Sequence, residues 1–382
     1  MKLLDGIIVL DFAQYLAGPW AATKLADLGA RVIKIERPGS GDNGRRLTLC
    51  NLVVDGDSTV FHSQNRNKES YTANLKDPAD MEKVKKLIAK ADVMIQNFRP
   101  GVMERMGLGY EDVKKINPRM VYASVTGYGS EGPLTSKPGQ DLLVQSMTAI
   151  PWLSGNEGQD PVPIGVAAID MFTAMNVVEG VLASLFSREK TGEGALVEAS
   201  LVESSIDFQF EVMTTFLNNG NKLQPRSAVN NAHPYLGAPY GLYKTKDGYM
   251  AVSMGSITQL GQLIDCKALT EYTNPDDWYD KRDEIKQKLA DHLATNTTRY
   301  WLDILEPADY WAARVNTVRD VMEDEGLRYA DMVQEIVRKN GTKLLTTRTP
   351  LRINKQKLFA FKGAPVLGED TDHINKEFGL LE

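Results

Sequence analysis

The chain has 382 residues, 42% of them hydrophobic, enough for a large buried core and more than one domain usually holds, so two domains are expected. Its formal charge of -6 comes with lysines and arginines scattered along the chain, which leaves no basic stripe for a phosphate backbone and argues against a nucleic-acid partner. The apolar opening run is broken by charge and lacks a small-residue cleavage site, no other stretch reaches membrane-spanning length, and Cys50, Cys266, His62, His233, His292 and His373 are too dispersed for a disulfide framework or a metal site, so a cytoplasmic protein with no membrane partner and no metal is expected.

In chain order, residues 6–12 read as a buried parallel strand, 19–28 as its crossover helix and 31–36 as the next strand, which together make a βαβ unit. The turn over 13–19 lacks the three-glycine spacing that lets a backbone approach a dinucleotide pyrophosphate, which argues against a nicotinamide dehydrogenase. Residues 77–91 form an amphipathic helix opened by Asp77-Pro78, 93–95 continue the sheet, and 120–125 add a strand. This alternation is that of a doubly wound, Rossmann-like α/β sheet.

A short apolar approach over 163–170 ends on Asp170, and a helical pattern runs over 171–186. A lone carboxylate at a helix start lies in the field of unpaired backbone N–H groups, which holds it ionised, while apolar surroundings strip away the water that blunts a nucleophile. An ordinary N-cap is the commoner fate of an Asp at a helix start, and position alone favours that reading over the nucleophile.

From Ser205 the pattern changes. A helix-like stretch to 219 and a polar passage at 224–234 suggest a linker over 205–228. Strands at 241–245 and 249–253 are joined by the hairpin signal Asp247-Gly248, and helices are suggested at 258–264, 280–295 and 298–305. These elements make a smaller α+β domain over 229–325. Residues 326–347 read as a return linker, and strand-like alternation over 348–361 leads back to a large domain built from 1–204 and 348–382.

Ordered blocks at 4–12, 17–19, 28–39, 41–42, 67–68, 97–101, 127–128, 190–194, 233–234, 239–241, 247–248 and 365–372 carry a resemblance over nearly the whole chain. They resemble the family III CoA-transferases, typified by the formyl-CoA:oxalate and carnitine CoA-transferases, with the related acyl-CoA racemases. The resemblance implies that Asp170 is the nucleophile. It would attack a donor acyl-CoA to give a mixed anhydride, which the released thiolate converts to an aspartyl-CoA thioester, and an incoming carboxylate completes the exchange. Coenzyme A would be a substrate, with no tightly bound cofactor.

For CoA, the resemblance points to Arg37 at the end of a strand, Arg105, Ala73 and Lys76 near the adenine, Asn97 and Phe98 along the pantetheine, and Lys137 in a loop. Gln14, Tyr15, Leu16 and Ala17 match a substrate-facing turn. Gly237 opens a segment that could supply backbone donors or act as a lid, and it departs from the four-glycine loop of the oxalate enzymes. Leu16 stands where the oxalate enzyme carries a Gln, and an apolar side chain there implies a different acyl group. The racemases place a histidine at the position of Gln140, which cannot carry a proton, so transferase is preferred to racemase or epimerase. A catalytically silent CoA-binding protein is the alternative of another class. His233 reads as a hydrogen-bonded loop residue or as an acid or base. The resemblance further implies a homodimer of ring-like subunits threaded through each other.

Overall fold

In a computed structural model, which describes residues 2–381, six strands form one all-parallel sheet. They are β1 Ile8–Asp11, β2 Arg31–Glu36, β3 Lys68–Thr72, β4 Val93–Gln96, β5 Val121–Thr126 and β6 Ala195–Ser200, in the spatial order β3-β2-β1-β4-β5-β6. The order reverses direction between β1 and β4, the switch point at which doubly wound sheets open a crevice beyond their carboxyl ends.

Alternate residues of each strand face opposite sides. Val9, Val32, Val93, Ile95 and Val121 enter one apolar cluster, while Leu10, Ile33, Met94 and Tyr122 enter the other. The helices used below are α1 Ala17–Asp27, α2 Pro78–Ile88, α3 Val102–Arg105, α4 Tyr110–Ile116, α5 Asp141–Met147, α6 Ala168–Thr191 and α7 Leu201–Phe208. Trp20 and Leu25 of α1, with Val177 and Val181 of α6, cover the first face. Val84 and Leu87 of α2, Met103 of α3 and Val113 of α4 cover the second. Asp77 caps α2 by accepting the Ala79 and Asp80 N–H groups, with Pro78 in the first turn. Gly192 ends α6 at φ 76°, a left-handed conformation that suits glycine.

The expectation that no stretch reaches membrane-spanning length needs correction. α6, at 24 residues, is long and apolar enough by length and composition. Its apolarity has a local use, because Ile169, Ala174, Val177, Val178 and Val181 pack into the buried interior.

The chain divides into two compact units. The first joins residues 1–144, 167–208 and 330–382, and the second joins 145–166 and 209–329. The segments expected as linkers carry regular structure: Phe210–Asn218 is a helix, and Val333–Val337 pairs with Lys343–Thr347 in an antiparallel hairpin. In the second unit the hairpin read around Asp247-Gly248 is present, with Lys244 opposite Tyr249. Ala312–Arg314 extends it to three strands, and helices Arg282–Leu293 and Thr298–Leu305 supply Ile285, Leu289, Trp301 and Leu305 to its core.

Candidate active site

A cavity of about 280 Å³ lies beyond the carboxyl ends of the strands. Ala13 and Gln14 after β1, Arg37 after β2, Ala73 and Lys76 after β3, and Phe98 after β4 line it, together with Val102 and Met106 around α3. Five of the residues expected from the sequence, Gln14, Arg37, Ala73, Lys76 and Phe98, are therefore brought to one crevice at the switch point.

Asn97 is the clamp of this crevice. Its Oδ1 accepts the Gln14 N–H at 2.8 Å and its Nδ2 donates to the Gln14 carbonyl at 2.6 Å, so the ends of β4 and β1 are tied together. Tyr15 adopts a left-handed φ of 66°, and its N–H donates to Asp42 Oδ1 at 3.1 Å. Asp42 in turn caps the following turn at Gly44 N–H.

Beneath the loop is a layer of buried charge. Lys34 Nζ reaches Asp42 at 3.0 Å and the Ala13 carbonyl at 2.7 Å, with Asp11 at 3.4 Å. Lys68 donates to Asp11, to the Pro19 carbonyl and to Asn65 Oδ1. Burial outweighs its acidic partner and pulls the Lys68 ammonium down to about 8. Glu36 receives Arg45 Nε and Nη2, the Ser70 hydroxyl and the Asp42 N–H. Burial works against its charge, but the Arg45 fork prevails and holds the carboxyl below the usual glutamate range. Sequence reading missed this layer as part of the site; the signal was Lys34 and Glu36 set among the apolar residues Val32, Ile33 and Ile35 of a buried strand.

Asp170 is the third residue of α6 and is partly buried. It is neither the cap of that helix nor a lone carboxylate. The residue at the cap position, Ala167, has no side chain able to serve. Asp141, at the start of α5, takes that role from a distant segment: its Oδ2 accepts the N–H of Ile169 at 2.8 Å and of Asp170 at 2.9 Å. A close crossing of Gly127 and Gly139 fixes the approach to Asp141, since a Cβ on Gly127 would lie 2.6 Å from the Gly139 Cα.

The expectation that the helix field holds Asp170 ionised is overturned. Burial, followed by the charge of Asp141, raises its carboxyl to about 7. A carboxyl whose charged form is disfavoured by burial and by a neighbouring acid gains by conversion to a neutral derivative.

The remaining expected residues are not among the lining of the cavity. Leu16 precedes α1 and packs against the same apolar cluster as Met171, while Ala17 is the buried first residue of α1. Gln140 is exposed, and its Oε1 accepts the Leu142 N–H at 3.1 Å. Arg105 is exposed at the end of α3, and Lys137 is exposed in the loop before α5; neither lines the cavity. Gly237 belongs to the second unit, where a Cβ would meet the Trp278 carbonyl oxygen at 2.7 Å.

His233 bonds through its two ring nitrogens to Glu211 and to the Tyr235 N–H, as a loop histidine does. His62 and His292 each bond a backbone carbonyl, and His373 lies beside Glu377. Among the described residues no group of three His, Cys, Asp or Glu side chains could hold a metal ion.

Comparison with known proteins matches residues 4–371 to CoA-transferase family III. The succinyl-CoA:glutarate CoA-transferase of Mus musculus is 36% identical over 99% of this chain and 86% of its own length. The acetyl-CoA:oxalate CoA-transferase of Acetobacter aceti is 32% identical over 99% of this chain and 96% of its own. Among solved structures, a CaiB/BaiF family protein from Brucella suis superposes with a TM-score of 0.85 at 32% identity, covering 98% of this chain and 99% of that one.

Proposed function

The chain belongs to CoA-transferase family III and is a CoA-transferase enzyme, and from that premise we propose that it moves CoA from an acyl-CoA of a short dicarboxylic acid, such as succinyl-CoA, to a second short dicarboxylate through covalent forms of Asp170. The names of the relatives, with succinyl-CoA and glutarate in one and oxalate in the other, support this substrate class.

The observation that carries the reading is the third residue of α6, a partly buried carboxyl raised to about 7 by burial and by Asp141. An Asp170 oxygen attacks the thioester carbonyl of the donor, and the C–S bond breaks to give a mixed anhydride and CoA thiolate. The thiolate attacks the Asp170 carbonyl of the anhydride, releasing the donor carboxylate and leaving an aspartyl-CoA thioester. The acceptor carboxylate then displaces the thiolate, which attacks the acceptor's acyl carbon to form the new acyl-CoA and free Asp170. Each step exchanges one activated acyl bond for another, which is how a covalent handle divides a difficult transfer.

In this reading Arg37 and Lys76 meet the nucleotide phosphates, Ala73 lies near the adenine, and Phe98 borders the pantetheine in the cavity shaped by the Asn97 clamp. Arg105 and Lys137 are outer phosphate contacts. Gln14, Tyr15, Leu16, Ala17 and Gln140 face the acyl group. We place the enzyme in a homodimer with linked subunits, the assembly that the family resemblance implies.

The test is mass spectrometry after incubation with a panel of acyl-CoA donors and trapping with hydroxylamine or borohydride. A donor-dependent adduct on Asp170 is expected, and Asp170→Ala loses at least about a thousandfold of the exchange rate while retaining fold and CoA binding. Substantial exchange by Asp170→Ala sinks the mechanism.

A further inference from the structure

We propose that Asp141 is a positioning residue that shifts the balance at Asp170 from free carboxylate toward its acylated forms; this rests on Asp170 being the nucleophile. The geometry has two parts. First, Asp141 occupies the Ile169 and Asp170 N–H groups, the donors at the start of α6 that would otherwise stabilise a carboxylate there. Second, Asp141 is itself buried, 3% exposed, so its charge acts through little water.

The consequence follows from charge bookkeeping along the cycle. Free Asp170 carries a negative charge beside that of Asp141, whereas the anhydride and the aspartyl-CoA thioester carry none at residue 170. Acylation relieves the repulsion, so Asp141 raises the free carboxylate relative to both covalent intermediates and favours the first attack.

Other charges near α6 do not share this role. α1, α7, β5 and β6 pack against it. Their charged side chains are Lys24, Asp27, Glu198, Glu203 and Asp207. Lys24 lies over the Trp20 ring, Asp27 pairs with Arg66, and Glu203 accepts the Ser200 hydroxyl. After burial, Asp141 is the charge acting on Asp170.

Both helix bonds end on one oxygen, Oδ2. Asp141→Asn can retain these two bonds through its amide oxygen while removing the charge, whereas Asp141→Ala removes the cap as well. Asp141→Ser, which also keeps an acceptor, serves if the Asn variant does not fold.

The experiment incubates the native and variant proteins with limiting succinyl-CoA across a pH series, then quantifies trapped Asp170 by mass spectrometry beside the exchange rate. For Asp141→Asn the acid limb of the rate profile is expected to move down by about one pH unit or more. The trapped fraction is expected to fall about tenfold, the equivalent of one such unit. Melting near the native temperature for Asp141→Asn, and well below it for Asp141→Ala, separates charge from cap. An adduct in the native protein with an unchanged fraction and acid limb in Asp141→Asn overturns this inference alone. No adduct in the native protein, with CoA still bound, removes the nucleophile reading and this inference with it.

Discussion

Replacing Asp170 by Asn should stabilise the fold, and more so as the pH rises. The carboxyl stands at about 7 in the folded chain against an ordinary 3.8, a gap of about three pH units at about 1.4 kcal/mol each. A carboxyl raised in this way contributes stability through its protonated form. That contribution is fully present below the unfolded value of 3.8 and is lost as the pH rises through about 7. Asp170 keeps some contact with solvent, so screening reduces the effect to about 2 kcal/mol between about pH 5 and about pH 8.5. The amide of the Asp170→Asn variant has no charge to gain, and subtracting the two proteins cancels the titrating groups that do not interact with residue 170. Denaturant unfolding of both at the two pH values measures the difference. The Asn variant should gain on the native protein by that amount at the higher pH. An equal gap at both pH values, or a native protein that gains on the variant as the pH rises, would refute the claim that burial and Asp141 disfavour the ionised nucleophile.

Two substitutions at the cavity should part ways: Asn97→Ala loses both bonds to Gln14, costing about 1–3 kcal/mol of stability and raising the KM for acyl-CoA, whereas Arg37→Ala, on an exposed side chain, raises KM about tenfold with little change in unfolding. Unchanged KM in the Arg37 variant would remove that residue from the site. Sedimentation velocity should find a dimer that persists on dilution, and an active monomer would contradict the proposed linked assembly.

Where the local pattern decides the structure, the sequence was readable. Arg31–Glu36 and Thr298–Leu305 fall where alternation and helical spacing put them. The failures have particular causes. The start of α6 was misjudged because its cap comes from Asp141 across a glycine crossing, while rules for local caps see only Ala167. The hairpin in 333–347 passed for a linker because Val333 and Val337 face outward while Gln334 and Ile336 are buried, so the expected contrast of apolar inside and polar outside is scrambled. The stretch from 205 to 219 looked like one helix but divides at Gln209 into segments assigned to different units.

On the proposed reading the crevice takes a polyanion although acidic residues border it, and the buried charge layer supplies the reason. Glu36 and Asp42 border the cavity, and unpaired they would repel a nucleotide's phosphates. Glu36 is matched by Arg45 and Asp42 by Lys34, all four buried. Removing one partner from such a pair is strongly destabilising, so the pairing is held in place by the fold itself. The uncompensated charges of the lining are then Arg37 and Lys76, both exposed at its mouth. A site whose acidic groups are spent on holding the loop after β1, and whose cations are left to the solvent side, presents net positive charge only where the phosphates of a CoA ester would enter.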